Sequence, residues 1–326
     1  MGKPLMVVED LVKHFPVSAG QYGGRTIGHV RAVDGISFTV EEGRTLALVG
    51  ESGCGKTTTA RLILRLRHPT SGIIELDGKN VHELKRSELP WFRISVQAVF
   101  QDPWASLSPR MKVRDIVAEA LVVNQKLSRD EVRERVGNAL EKVGMQRWHG
   151  DLFPHEFSGG QRQRIALASA LITDPRLLVL DEPVSALDVS VQAQVLNLLK
   201  DIQADFGTTY LMISHDLATV RYVADHVAVM YMGRIVEKGD TEQIFESPHH
   251  PYTKGLFAAD LPAHPRERRP RLKIKGDLPS PLDPPSGCRF RTRCAHAMDI
   301  CVEEPETISI AEGHTVSCFL HTQSTE

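Results

Sequence analysis

The sequence predicts an α/β fold built around a parallel sheet. Residues 45–49 are an apolar run typical of a buried strand, and the glycine-rich stretch Gly-Glu-Ser-Gly-Cys-Gly-Lys-Thr follows directly at 50–57. Strand patterns return at 177–180 and 209–214, separated by a helical pattern over 190–206. Alternation of strands and helices along a chain is typical of a parallel sheet.

The flanking segments complete a mixed α/β fold. Residues 5–100 are rich in strand patterns, and helical spacing over about 103–170 predicts an inserted helical subdomain. Apolar runs on either side of a glycine-containing turn within 227–237 predict an antiparallel hairpin. From 241 the chain becomes proline-rich. We therefore predict one domain over 1–240 and a short irregular C-terminal extension over 241–326.

Length and composition indicate an ordinary globular protein. The chain has 326 residues, 41% of them hydrophobic, and a net charge of −2, so its overall charge gives no reason to expect nucleic acid. No apolar run approaches the roughly 18 residues of a membrane-spanning helix, and the N-terminus turns acidic at Glu9 and Asp10. We expect the chain to stay in the cytosol, with any membrane role mediated by a partner.

The stretch at 50–57 fits the P-loop pattern. Its glycines allow backbone N–H groups to face a β-phosphate, and the positive end of the following helix adds to the attraction. Lys56 would neutralise β and γ oxygens, and the Thr57 hydroxyl would coordinate Mg²⁺. A glycine-rich turn without a ligand is the alternative. The other predicted nucleotide contacts are Gly50, Ser52, Gly53, Cys54, Gly55 and Thr58.

Two carboxylates follow the apolar run at 177–180. Asp181 and Glu182 would stand at the C-terminal end of this strand, where Asp181 can hold Mg²⁺ through water. Glu182 is the candidate general base, because a second carboxylate beside a metal-binding Asp can polarise a water in line with the γ-phosphate. The alternative for Glu182 is a charged residue that caps the next turn.

Polar side chains also stand at the ends of two other predicted strands. His215 could hydrogen-bond a γ-phosphate and orient the water, although an isolated His is more often structural. Gln101 lies where strand patterns give way to helical ones. Its amide could ligate Mg²⁺ and move with the insertion, or it could be an ordinary polar loop residue.

A second glycine-rich element, Ser158-Gly159-Gly160-Gln161, directly precedes a strong helical pattern. The N–H groups of a helix N-terminus and the Ser158 hydroxyl can bind an anion. Ser158 would serve equally well as a simple helix cap. One nucleotide should not need both this element and the P-loop.

Taken in order, these elements resemble the ATP-binding-cassette (ABC) family over about residues 5–240. The matching motifs are Walker A (50–57), the Q-loop (Gln101), the signature (158–161), Walker B (177–182), the D-loop (185–188) and the H-switch (His215). The resemblance implies a head-to-tail dimer in which ATP and Mg²⁺ lie between the Walker motifs of one subunit and the signature of the other. Ser158, Gly160 and Gln161 would then act on the partner's nucleotide, with Asp188 of the D-loop also at the nucleotide sites.

The adenine contact is less specific. In this family an aromatic side chain after the first strand usually stacks on adenine, and Phe15 matches that position. Tyr22, in the glycine-rich stretch that follows, is an alternative, and a core role for Phe15 stays open.

Further segments resemble the oligopeptide/dipeptide importers of this family. Residues 100–110 match apart from an Asn that the group usually has before the second Pro, and 248–253 and 276–281 resemble its C-terminal extension. The sequence at 188–194 and the P-loop Cys54 favour the F-type subunit. The resemblance implies a related D-type ATPase subunit or a second copy as dimer partner, two membrane permease subunits, an extracytoplasmic solute-binding protein, no nucleic acid, and a peripheral location at the cytoplasmic face of the cell membrane.

Four cysteines lie close together near the C-terminus: Cys288, Cys294, Cys301 and Cys318. Thiols of a cytosolic chain are better placed to hold a metal than to form disulfides. Four thiolates satisfy either Zn²⁺ or a [4Fe–4S] cluster, and the spacing leaves the choice open. The resemblance implies the [4Fe–4S] cluster, which would serve as a structural staple, and unligated thiols are the remaining alternative.

We therefore predict an ATPase subunit that drives peptide import. The same machinery could carry another solute, such as a nickel chelate or a sugar. A soluble cassette ATPase acting in DNA repair or translation is the rival class, but such proteins usually have two cassettes or a long coiled-coil insertion, and neither pattern occurs here.

Overall fold

The computed structural model describes residues 3–18, 26–101, 107–259, 274 and 276–322. The strands of this part are β1 (Pro4–Ser18), β2 (Thr26–Glu41), β3 (Thr45–Val49), β4 (Ser71–Leu76), β5 (Lys79–Asn80), β6 (Val96–Val99), β7 (Leu177–Asp181), β8 (Thr209–Ile213), β9 (His226–Tyr231), β10 (Arg234–Asp240), β11 (Thr307–Ala311) and β12 (His314–Ser317). The helices are α1 (Lys56–Ile63), α2 (Leu89–Ser95), α3 (Val113–Asn124), α4 (Arg129–Lys142), α5 (Gly159–Leu171), α6 (Val189–Phe206), α7 (Leu217–Val223), α8 (Thr241–Glu246) and α9 (Pro251–Ala259).

The chain divides into two compact units. The carboxylate unit comprises the described residues within Met1–Met6, Val40–Thr45 and Glu75–Val223. The P-loop unit comprises those within Val7–Thr39, Leu46–Ile74 and Ala224–Glu326. The domain boundary after residue 240 stays a prediction.

The carboxylate unit contains a parallel sheet in the order β6-β7-β8. Leu177 lies opposite Val96 on one side and opposite Thr209 on the other. Every residue of β7 and β8 is buried, as expected for parallel strands that are covered on both faces. The apolar runs therefore became central strands, and the predicted strand–helix alternation is confirmed through β7, α6 and β8.

Helices fill the chain between β6 and β7, so the predicted helical character of this part is confirmed for its described residues. Ser128 begins α4 with a capping box, because its hydroxyl accepts from the Glu131 N–H and the Glu131 carboxylate accepts from the Ser128 N–H. The apolar side chains of α5 face inward, with Ile165 and Leu167 fully buried. The 3.6-residue period of the sequence thus gave helices at the expected places.

The P-loop unit contains a mixed sheet in the order β11-β12-β10-β9-β3. Strands β3 and β9 are parallel, whereas β9 and β10 form the predicted antiparallel hairpin. Met232 and Gly233 adopt the positive φ values of 45° and 81° that its tight turn requires. In a second sheet of this unit, β1 lies between β2 and β4.

The C-terminal extension is more ordered than the sequence suggested, although its residues 276–298 contain no helix or strand, as predicted for an irregular segment. It contains α8, α9 and the hairpin of β11 and β12, and β12 extends the sheet by pairing Val316 with Glu237 of β10. Pro251 occupies the first position of α9, where a proline fits because its missing N–H is not needed. Alternation at 307–311 followed by Gly313 at φ 73° was the overlooked hairpin signal.

An aromatic cluster joins the extension to the sheet of the P-loop unit. Tyr231 of β9 lies 4.6 Å from Tyr252 of α9 and 5.3 Å from Phe290, measured between ring centroids. Tyr231 and Tyr252 are fully buried. Aromatic pairs at such distances stabilise a fold beyond the area that they bury, so the extension packs as an integral part of this unit. Across the described residues, no helix is both long and apolar enough to cross a membrane.

Candidate nucleotide site

The P-loop has a backbone that only glycine can adopt at two of its positions. Gly50 has φ 150°, and a Cβ there would lie 2.2 Å from the Met230 carbonyl oxygen. Gly55 has φ 114°, and its Cβ would lie 2.3 Å from the Ala32 carbonyl oxygen. Both contacts are far inside van der Waals distance, so the loop packs tightly against its neighbours and these two positions require glycine.

Lys56 lies at the centre of this loop. Its side chain is buried, and its ammonium donates to the carbonyl oxygens of Gly50 at 2.6 Å and Glu51 at 3.0 Å. The Cys54 thiol lies 3.6 Å from the same ammonium, and burial raises its pKa. The loop thus curls around one positive charge that it holds with its own carbonyl groups, which is the charge a triphosphate requires.

Helix α1 begins immediately after Gly55, so its N-terminal N–H groups belong to the same loop. Ser52, Gly53 and Thr57 are exposed, whereas Thr58 is half-buried. The glycine cradle, the Lys56 ammonium and the Thr57 hydroxyl together fit a triphosphate with Mg²⁺.

In the carboxylate unit, the structure brings three predicted catalytic residues into contact. The Gln101 amide donates to Glu182 Oε2 at 2.7 Å, and His215 Nδ1 lies 2.9 Å from Glu182 Oε1. The preceding residue, Asp181, ends β7 and is buried. We call Gln101, Asp181, Glu182 and His215 the carboxylate cluster.

Glu182 has a strained backbone. Its φ is 51°, in the left-handed region that costs a non-glycine residue free energy, and its N–H donates to the Ile213 carbonyl at 2.9 Å. The hydrogen bond to β8 fixes the turn, and the turn aims the carboxylate at Gln101 and His215. Strain of this kind concentrates at functional sites.

The signature segment caps a helix. The Ser158 hydroxyl accepts from the Gln161 N–H at 3.3 Å, and the Gln161 side chain accepts from the Ser158 N–H at 3.0 Å, which is a complete capping box for α5. The capping interpretation of Ser158 is therefore confirmed. Ser158 and Gln161 are also exposed and Gly160 is half-buried, so this helix start is accessible to a ligand from outside.

The surroundings of Phe15 and Asp188, two further residues predicted to contact nucleotide, do not identify a ligand. Phe15 is half-buried on β1, and the Lys13 ammonium lies 5.2 Å from its ring centroid. Tyr22 lies outside the described residues. Asp188 is exposed at the N-cap of α6.

The four C-terminal cysteines line one cavity with about 10 Å³ of free space. Burial raises the pKa of Cys288 and Cys294, and that of Cys318 to about 11. All four are free thiols. Among the described side chains, however, no three of the His, Cys, Asp and Glu residues are arranged as a metal-ligating group. The four thiols thus lie around one cavity, and thiolates are ligands that suit a soft metal. Their positions in space, however, are not those of a metal-ligand set among the described residues.

Sequence reasoning missed two contacts of the P-loop and a third contact beside it. The Glu51 carboxylate accepts from Arg293 at 2.8 Å, and the Glu51 N–H donates to the Tyr252 hydroxyl at 2.8 Å. Arg293 Nη1 also lies 3.4 Å from the Tyr231 hydroxyl. Two features of the sequence could have indicated these contacts. Glu51 is a charged residue at a variable position of the P-loop, and Arg289, Arg291 and Arg293 lie between Cys288 and Cys294.

Comparisons with known proteins identify both parts of the chain. The ABC transporter family matches residues 33–185, and the family described as "Oligopeptide/dipeptide transporter, C-terminal region" matches residues 236–301. The di/tripeptide transport ATP-binding protein DppF of Pseudomonas aeruginosa is 48% identical over 96% of this chain and 97% of its own length. The oligopeptide transport ATP-binding protein OppF of Salmonella typhimurium is 45% identical over 97% and 96%.

Solved structures agree with this fold. CbiO1 of Clostridium perfringens, part of the ABC transporter complex cbiONQ, matches with a TM-score of 0.65 and 32% identity, covering 75% of this chain and 92% of its own. The cassette MJ0796, at 24% identity and a TM-score of 0.63 over 72% and 98% of the two chains, shares the fold. The fold is that of a P-loop ATPase cassette with a mixed sheet. The chain belongs to the ABC transporter family, among the ATP-binding subunits with an oligopeptide/dipeptide-type C-terminal region.

Proposed function

We propose that this chain binds and hydrolyses ATP to drive the import of di- and oligopeptides. The observation that carries the proposal is similarity at 44–49% identity, over nearly the whole chain, to ATP-binding subunits named for dipeptide or oligopeptide transport. Because the similarity includes the extension as well as the cassette, it favours peptide importers over other users of the same ATPase. Nickel-chelate or sugar cargo and a non-transport cassette have no comparable support.

The P-loop is proposed to hold the triphosphate of ATP. Its N–H groups and Lys56 would neutralise the β and γ oxygens, while Thr57, Asp181 and Gln101 would hold Mg²⁺. The bound ion supplies charge that stabilises the leaving phosphate. Phe15 is proposed as the adenine-stacking residue. In each of these roles the chain's own groups orient the phosphates and exclude bulk water.

The carboxylate cluster is proposed to activate water. His215 holds one oxygen of Glu182, and Gln101 holds the other. When Gln101 turns toward Mg²⁺, the second oxygen becomes free to accept the proton of a water in line with the γ-phosphate. The strained backbone of Glu182 and its bond to His215 would keep the carboxylate aimed during this exchange.

The signature residues are proposed to complete the site of a second ATPase subunit. The exposed start of α5 offers helix N–H groups and the Ser158 hydroxyl to a phosphate. Gly160 and Gln161 would contact the same nucleotide, with Asp188 close by. The partner is proposed to be a related D-type subunit or a second copy of this chain.

A surface groove of the carboxylate unit is proposed to receive a permease subunit. It has a volume of about 440 Å³ and is lined by Phe100, Ile116, Ala120 and Val123 among others. Phe100 and Val123 are 39% and 67% exposed and line the same groove, and an exposed apolar patch of this kind marks a candidate interaction surface. A cytoplasmic helix of a permease would cover them. Because Gln101 is the next residue after Phe100, a movement of Gln101 would shift this contact. The ATPase would thereby lie at the cytoplasmic face of the membrane, beneath two permeases and served by an extracytoplasmic binding protein.

Proteoliposomes with the assembled complex test the proposal. We expect ATP-dependent uptake of labelled di- or oligopeptide in the presence of the binding protein. Val123→Glu should reduce uptake and co-purification with the permeases at least about tenfold, because it places a charge in an apolar contact, while ATP binding stays unchanged. Leu66→Glu, at a similarly exposed apolar position of the P-loop unit, is the matched control. Wild-type complex that hydrolyses ATP but imports no peptide would overturn the peptide assignment.

The four C-terminal cysteines are proposed to hold a metal centre, with [4Fe–4S] preferred and Zn²⁺ as the alternative. Their meeting at one cavity and their free thiols support the proposal. Such a centre would staple the extension, which has only a small core of its own.

Metal analysis of anaerobically purified chain tests this assignment. We expect iron and sulfide in a ratio of one to one, visible absorption from the cluster, and loss of both in Cys318→Ser. Cys54→Ser, which alters a thiol of the P-loop instead, should retain full iron content. Stoichiometric zinc without iron would replace the cluster by a zinc site, and absence of both metals would leave the thiols unligated.

A further inference from the structure

Glu51, the second residue of the P-loop, is held through three of its groups: the carboxylate, the backbone N–H and the backbone carbonyl. Its carboxylate accepts two hydrogen bonds from Arg293, with Nη1 2.8 Å from Oε2 and Nη2 3.3 Å from Oε1. Its N–H donates to the Tyr252 hydroxyl at 2.8 Å, and its carbonyl accepts from Lys56 at 3.0 Å. Arg293 and Tyr252 both belong to the C-terminal extension, so two of these three contacts fix the P-loop from outside the cassette motifs.

The ion pair of Arg293 and Glu51 is not an ordinary surface pair. The two side chains are only 10% and 29% exposed, and two parallel N–H···O bonds are the strongest geometry for an arginine and a carboxylate. The Arg293 guanidinium also lies 3.4 Å from the Tyr231 hydroxyl. Burial raises the pKa of Tyr252. At neutral pH the guanidinium is charged, as arginine always is in proteins, and the Tyr252 hydroxyl is neutral.

A second buried ion pair anchors the same part of the extension. Arg289 donates to Asp34 on β2, and the two side chains are 5% and 11% exposed. Ala32, two residues before Asp34, supplies the carbonyl that leaves no room for a side chain at Gly55. The extension therefore contacts the beginning of the P-loop through Arg293 and the strand that packs on its end through Arg289.

We propose that Arg293 and Tyr252 are positioning residues that hold the P-loop in its phosphate-binding shape, so that the ATP affinity of the cassette depends on the C-terminal extension. The inference rests on the proposed binding of ATP by this loop. Glycine-rich backbone loses much conformational entropy when it is ordered. Contacts that order the loop before ATP arrives remove that cost from binding, which raises affinity without any contact to ATP.

A purely structural role predicts something different. If the ion pair only fastened the extension, its loss would lower the unfolding temperature but leave the ATP affinity of the folded chain unchanged. A positioning role predicts weaker ATP binding in folded protein, and it predicts that removing either partner has the same effect. Fluorescent-ATP titration and thermal unfolding of the full-length chain separate the two.

The variants are Glu51→Gln, Arg293→Met, their double variant, Tyr252→Phe, and the charge exchange E51R/R293E. We expect each of the first two to raise the ATP Kd about tenfold, since each removes a charge-assisted pair. The double variant should be no worse than either single one. Tyr252→Phe, which removes one hydroxyl, should raise the Kd about threefold, and the charge exchange should restore part of the affinity.

Arg291→Met is the matched control. Arg291 lies in the same segment between Cys288 and Cys294, but its Nε donates to the Ser286 carbonyl at 2.9 Å rather than to the P-loop. We expect its ATP Kd to equal that of the wild type. Folded Glu51→Gln and Arg293→Met with wild-type Kd would overturn the inference while leaving ATP binding intact, and so would an equal loss in Arg291→Met. Wild-type chain that binds no ATP would overturn both the inference and the proposed function.

Discussion

Replacement of Glu182 by Gln is expected to reduce ATP turnover of the assembled complex by about a hundredfold or more while ATP still binds. Gln has nearly the same size and can still accept a hydrogen bond from Gln101 through its amide oxygen, so the cluster should keep its shape. An amide cannot take the proton of the attacking water, so the chemical step should fail. Steady-state phosphate release and an equilibrium ATP titration on the same preparation measure the two quantities.

The same substitution should change the oligomeric state. ATP that binds but is not hydrolysed would hold two ATPase subunits together, so size-exclusion chromatography with Mg-ATP should show a stable dimer for Glu182→Gln and only a transient one for the wild type. Glu83→Gln, an exposed carboxylate of the same unit, serves as the control. Undiminished turnover in Glu182→Gln would remove Glu182 from the role of general base.

The parts of the fold that depend on local pattern could be predicted from the sequence. The strands that end at Val49 and Asp181 were recognisable because central parallel strands are continuous apolar runs, and α4 and α5 were recognisable from their caps and their period. The residues proposed to carry chemistry stand directly after those strands. Motif order along the chain thus predicted the candidate site residues, and their roles stay a prediction.

The contacts of the extension could not be predicted in the same way. Arg293 and Glu51 are 242 positions apart in sequence, and nothing in the local sequence of either residue specifies the other. The prolines around 279–285 suggested an irregular tail, whereas β12 is ordered by pairing with β10, which is a tertiary effect. Likewise, the spacing of the cysteines left open which metal, if any, the four thiols that line one cavity would hold.

The Glu182 side chain illustrates a third kind of limit. Its place after β7 was predictable, but its positive φ and its simultaneous contacts with Gln101 and His215 were not. They depend on how three strand ends are brought together in space. Gln101 hydrogen-bonds a carboxylate oxygen of Glu182, the proposed base. Breaking this hydrogen bond is therefore a step that a permease contact at Phe100 could control.

Replacement of Lys56 by Met is expected to weaken ATP binding about a hundredfold, because the buried ammonium is the positive charge around which the P-loop folds. Met keeps the volume and the apolar stem of the side chain but leaves the Gly50 carbonyl without its donor. The loss should be greater for ATP than for ADP, since Lys56 is proposed to neutralise both β and γ oxygens. Fluorescence titration with both nucleotides measures this difference.

A simple loss of folding would weaken the binding of ATP and of ADP by the same factor. The ratio of the two Kd values therefore distinguishes a missing phosphate contact from a damaged loop. Lys126→Met removes an exposed positive charge from the carboxylate unit and should change neither Kd. If Lys56→Met bound ATP as the wild type does, the ammonium would serve only to close the loop on its own carbonyl groups. The affinity would then come from the backbone N–H groups and the start of α1, and the contacts of Glu51 with Arg293 and Tyr252 would gain importance as the groups that hold those N–H donors in place.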